Sequence, residues 1–117
     1  MIVGIGIDMV KVNKMQDAIE RGGKDFIDKI FNPEELERIS PSKIYYQRLS
    51  ARFAAKEAVI KALSKEIELT LKDICILNES NGAPFCKLNK DIDINILISI
   101  THIEDYAIAC AVAEKVT

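Results

Sequence analysis

A chain of 117 residues is the length of one ordinary domain, and 49% apolar with 29% charged residues is the balance of a soluble globule. The formal charge of −2 provides no basic footprint for nucleic acid, and the apolar stretches are too short and interrupted to cross a bilayer. Cys75, Cys86 and Cys110 are too widely spaced for a zinc pattern and odd in number, so they read as buried free thiols of a reducing cytoplasm.

The first segment alternates. Val3, Ile5, Ile7 and Met9 fall on one face of a strand, and Gly4, Gly6, Asp8 and Val10 on the other. No basic leader or cleavage-like site precedes Asp8, so no signal peptide is expected. A helix from about Lys14 to Arg21 should stop at Gly22-Gly23, and Phe26, Ile27 and Ile30 mark a second helical piece. Asn32-Pro33-Glu34-Glu35 reads as a helix start, with Asn32 as cap and Glu35 reaching back as in a capping box, and Ser40-Pro41 closes it.

The longest helix is expected from about Tyr46 to Ser64, with Leu49, Phe53, Ile60 and Leu63 as its core stripe. Residues 73–77 and 85–88 flank Asn81-Gly82 as a hairpin. Ile94–Thr101 and Tyr106–Ala113 form another around His102. In its last strand Ala107, Ala109, Ala111 and Ala113 line one face with methyl groups only, which lets a helix approach closely. The expectation is a single α+β domain spanning 1–117, with an antiparallel sheet against a long central helix. A domain this short buries only roughly 65% of its unfolded surface, so assembly with further copies would help stabilise it.

Two acids stand in unusual places. Glu57 lies at the edge of the helix stripe, with Lys61 one turn on and Lys56 flanking; the plain alternative is a surface Glu–Lys pair at four-residue spacing. Asp8 sits in a strand beyond two glycines that clear room for a bulky ligand or another backbone; the plain alternative is a strand-end acid capping a turn. Two carboxylates from a strand and a helix would suit Mg²⁺, which takes few protein ligands and completes its shell with water and phosphate. His102, with Ser99 and Thr101, and Arg52 from the helix, could offer donors to an anion.

The set Gly4-Ile5-Gly6-Ile7-Asp8, Arg52-Phe53-Ala54-Ala55-Lys56-Glu57-Ala58 with Lys61, and Ser99-Ile100-Thr101-His102 before Tyr106-Ala107 resembles the holo-acyl-carrier-protein synthases. These are the small class of 4′-phosphopantetheinyl transferases. The likeness runs in order along essentially the whole chain and includes the Phe31 and Glu35 region and the Asn81-Gly82 turn.

The resemblance implies transfer of 4′-phosphopantetheine from coenzyme A to a serine of apo acyl carrier protein, in support of fatty acid biosynthesis. It implies a cytoplasmic homotrimer with active sites between subunits. It further implies Mg²⁺ on Asp8 and Glu57, Lys61 near the phosphates, and coenzyme A contacts from Arg52, Lys56, Lys61, Asn81, Gly82, Pro84, Ser99, Thr101 and His102. Glu57, directly or through a water on the metal, is the expected base, with Asp8 the alternative. Four positions depart from the family pattern: Lys11 for an acid, Lys14 for arginine, Phe53 for tryptophan and Ala83 for lysine. A non-catalytic scaffold of the same fold would be expected to lose an acid or lysine of the Asp8, Glu57 and Lys61 set. A phosphohydrolase would need a second metal site or a nucleophile motif.

Overall fold

A computed structural model describes residues 1–116. The elements run β1 (Ile2–Lys11), α1 (Val12–Ile30), α2 (Pro33–Leu36), α3 (Tyr45–Ala62), a short 3-10 turn (Leu71–Asp73), β2 (Ile74–Asn78), β3 (Pro84–Leu88), β4 (Ile94–His102) and β5 (Tyr106–Lys115). Strands β1, β5 and β4 form an antiparallel sheet in that spatial order, and β2 and β3 form a two-stranded antiparallel sheet. The α+β class and the central helix are as expected.

Small residues set the central contact. Ala107, Ala109, Ala111 and Ala113 of β5 and Ala54, Ala58 and Ala62 of α3 are all buried. With only methyl groups between them, helix and sheet come close, and at β1 no side chain intervenes at all. A β-carbon added at Gly4 would overlap the carbonyl oxygen of Ala62, and one at Gly6 that of Ala58. The space beside these glycines therefore holds the backbone of α3, not a ligand. The expected stripe on α3 is correspondingly broader: Leu49 and Leu63 are buried, Phe53 and Ile60 only half-buried, and alanines carry the sheet-facing side.

The outer face of the sheet carries exposed Ile5, Ile7 and Met9 from β1 and Leu97 from β4. Val3 leaves that set, because the register shifts between Ile2 and Gly4 and its side chain packs into the core. A second cluster, with Met15, Ile19, Phe31 and Leu49, joins α1 and α2 to the other side of α3.

Helix α1 starts earlier than expected and is broken at Gly23 (φ 59°, ψ −146°), so the glycine stop is real but a second helical piece follows directly. The Asn32 N–H donates to Glu35 Oε1 at 2.9 Å, as a capping box requires. Asn81-Gly82 lies within a five-residue connection, 79–83, where Gly82 takes φ 91°. The three cysteines are free but half-buried, not interior as expected.

Candidate active site

The backbone contact between β1 and α3 positions the two acids. Asp8 is two residues beyond Gly6 on the same strand face, and Glu57 immediately precedes Ala58. Lys61, one turn beyond Glu57, crosses to β1: its Nζ lies 3.1 Å from Asp8 Oδ1 and 2.9 Å from the Ile7 carbonyl oxygen. Burial pushes the Glu57 carboxyl above its ordinary range, and the negative charge of Asp8 raises it further, while Lys61 opposes the shift. The three side chains therefore share one electrostatic neighbourhood, and Lys61 is not simply a surface partner of Glu57.

The donor set fits a hard divalent cation. Among the described residues no hydrogen-bond donor reaches the half-buried Glu57 carboxylate, and no group of three or more His, Cys, Asp or Glu side chains surrounds it. Two carboxylates whose charges repel would be ligands of the kind Mg²⁺ takes, rather than the four of a closed zinc site.

A separate cavity of about 470 Å³ opens between α3, the β2–β3 hairpin and the end of β4. Arg38, Arg48, Arg52 and His102 line it, with Asn78, Gly82 and Pro84, and no acid among the described residues does. Arg52 donates through Nη1 to the Ile76 carbonyl oxygen and through Nη2 to Asn78 Oδ1 at 2.9 Å. His102 Nδ1 lies 3.0 Å from Gln47 Oε1. The amide oxygen accepts, so Nδ1 is the donor in this contact. A cluster of guanidinium groups with apolar Ile39 and Ile100 behind it suits a polyanion carrying a flat apolar group.

The structure brings together Asp8, Glu57 and Lys61, and separately Arg52, Gly82, Pro84 and His102. Asn81 lies on the hairpin loop at the cavity edge, where its Oδ1 accepts from the Ala83 N–H at 3.0 Å. Ser99 and Thr101 are exposed on the outer sheet face, opposite to Ile100, and do not line the arginine cavity of their own chain. Lys56 requires a correction. It is fully buried, 2.5 Å from Glu35 Oε1 and 2.6 Å from the Ile30 carbonyl oxygen, so it has no surface with which to meet a cofactor.

Arg38 and Arg48 were not among the expected residues. Arg48 is four residues before Arg52 on one helix, a spacing that places both on one face.

Carboxylates beside a lysine, and guanidinium groups around a cavity, define a domain built to handle phosphate groups. Residues 4–111 match the family model of the 4′-phosphopantetheinyl transferase superfamily. The chain is 41% identical over 112 residues to a holo-[acyl-carrier-protein] synthase of Thermodesulfovibrio yellowstonii, covering 96% of this chain and 98% of that protein. It is 42% identical over 123 residues to one of Caldicellulosiruptor saccharolyticus, covering 98% of each. The holo-(acyl-carrier-protein) synthase of Bacillus anthracis, solved in complex with CoA (3′,5′-ADP), superposes with a TM-score of 0.84 at 29% identity and 98% coverage of both chains. That of Neisseria meningitidis gives 0.85 at 29% identity, covering 98% of this chain and all of the other. The chain belongs to the 4′-phosphopantetheinyl transferase superfamily, among the holo-[acyl-carrier-protein] synthases.

Proposed function

We propose that the protein transfers 4′-phosphopantetheine from coenzyme A to a serine of apo acyl carrier protein, releasing adenosine 3′,5′-bisphosphate. The 117 residues act as one transferase domain in the cytoplasm, in support of fatty acid biosynthesis. The observation that carries this reading is the pairing of an acid–acid–lysine cluster with a cavity of arginines, in a chain whose relatives of the same length are holo-[acyl-carrier-protein] synthases.

In this reading the bisphosphate end of coenzyme A occupies the arginine cavity, where Arg48, Arg52 and His102 meet its phosphates. Lys61 neutralises the pyrophosphate oxygens, and Asp8 and Glu57 would hold Mg²⁺, which when bound would stabilise charge on the leaving bisphosphate. The serine oxygen attacks the phosphorus that carries pantetheine, the bond to the adenosine-side phosphate oxygen breaks, and the serine proton passes to a carboxylate. Glu57 is our preferred acceptor, and Asp8 is the alternative. Exposed Lys11 and Lys14, at the junction of β1 and α1, offer positive charge to an acidic carrier.

We further infer a homotrimer. Ile5 (70% exposed), Ile7 (63%) and Leu97 (53%) form an apolar outer face that suits burial against other copies. Ser99 and Thr101 lie on that same face, where a neighbour's cofactor could reach them.

The test is direct. The protein is incubated with Mg²⁺, coenzyme A and a cognate apo acyl carrier protein, and the carrier is weighed. A gain of one phosphopantetheine group is expected; no gain with a competent carrier refutes the transferase, and phosphate release without carrier modification points to hydrolysis.

A further inference from the structure

The ion pair of Glu35 and Lys56 has both side chains fully buried. Stability alone does not account for it. Desolvating two charges costs about as much as their attraction returns, and apolar residues packed in their place are often at least as stable.

Their partners suggest a different role. The Lys56 ammonium has three donors and three acceptors: Glu35 Oε1, the Ile30 carbonyl oxygen at 2.6 Å and the Leu71 carbonyl oxygen at 3.1 Å. Glu35 Oε1 also accepts from the Asn32 N–H, a capping bond that needs neither burial nor a lysine. Its second oxygen, Oε2, accepts from the N–H of Ile76 at 2.9 Å.

Ile76 stands opposite Cys86 in the β2–β3 ladder, and its own N–H and C=O turn to the free edge of that two-stranded sheet. The N–H is taken by Glu35 and the C=O by Arg52. Arg52 and Lys56 are four residues apart on α3, so the contacts close a ring: α3, Lys56, Glu35, the Ile76 backbone, Arg52, α3. Burial lowers the proton affinity of Arg52, and the charge of Glu35 works against that loss.

We propose that Glu35 is a positioning residue for the anion cavity: through the backbone of Ile76 it sets the direction of the Arg52 guanidinium, with Lys56 holding the carboxylate in place in the core. Neither Glu35 nor Lys56 touches the cofactor. The inference rests on the reading of that cavity as the seat of the bisphosphate end of coenzyme A.

The test uses Glu35→Gln and the double variant Glu35→Met with Lys56→Met. Glutamine keeps the shape but turns an NH₂ group toward either Lys56 or the Ile76 N–H, both of which are donors. Turnover is measured against coenzyme A and against apo carrier, and adenosine 3′,5′-bisphosphate binding by calorimetry.

In both variants KM for coenzyme A and Kd for the bisphosphate should rise roughly tenfold, the size of one charge-assisted hydrogen bond, with KM for the carrier unchanged. The apolar double variant should melt near the wild-type temperature, which separates positioning from folding. Ile19→Ala, a change in the second core cluster on the first part of α1, should lower the melting temperature without moving KM. In an Arg52→Ala background Glu35→Gln should add less than about a further twofold, since the two act in series. Independent, multiplying effects, or wild-type bisphosphate affinity in the double variant, would overturn the proposal. A wild type that neither transfers nor binds the bisphosphate overturns the functional reading itself.

Discussion

Gly6 of β1 lies against the carbonyl group of Ala58 in α3 with no room for a β-carbon between them. This contact holds the strand that carries Asp8 against the helix that carries Glu57. Gly6→Ala must push a helix backbone away, and overpacking of this kind costs about 1–3 kcal/mol. Urea unfolding should show that loss. Transferase activity should fall further than the loss of folded protein explains, because the two acids separate. Normal activity per folded molecule would contradict the link.

Glu57→Gln should abolish turnover while leaving the fold intact. Its stability has a pH signature. The carboxyl is raised above its ordinary 4.5 in the folded chain, so the folded state binds more protons than the unfolded state between 4.5 and the raised value. This contribution is full below 4.5 and is lost as pH rises through the folded value. In EDTA, the variant should therefore gain in melting temperature relative to wild type as pH increases through that window. The gain is small because the group is partly exposed. Added Mg²⁺ should raise the wild-type melting temperature and leave the variant nearly unchanged.

Arg48→Ala and Arg52→Ala should each raise KM for coenzyme A by roughly 10-fold or more, since a charged hydrogen bond contributes about 1.5–3 kcal/mol. Coenzyme A lacking its 3′-phosphate should bind weakly to wild type and be less affected by either change. Steady-state kinetics with the two donors decides this, and equal sensitivity of both donors would place the phosphate elsewhere.

Ile7→Asp puts a charge on the apolar outer face without touching the core. Sedimentation should show monomers with the circular dichroism of wild type, and activity should fall with assembly. Monomers that turn over at the wild-type rate would show that each chain holds a complete site.

Period-two patterning makes β1 and β5 legible in advance, since the alanines of β5 announce a closely packed helix and the glycines of β1 announce an approaching backbone or ligand. The glycines alone leave that choice open, because only the fold brings Ala58 and Ala62 opposite them. Lys56 is misread for a related reason. Its partner Glu35 is far away in sequence and looks like a capping residue, so a lysine beside an apolar stripe is assigned to a ligand when it belongs to the core. Arg38 and Arg48 escape notice because arginines in turns and on helix faces are ordinarily solvated; only a cavity gives them a common target. Ser99 and Thr101 share a strand face with each other but not with the arginine cavity.

Strand β1 carries Ile5, Ile7 and Met9 outward and Gly4, Gly6 and Asp8 toward the helix, two sets interleaved one residue apart. A single-residue deletion between Gly4 and Asp8 would exchange them, presenting an acid to the apolar outer face and an isoleucine to the helix backbone. This stretch should therefore accept substitutions at its outward positions far more readily than any change in length.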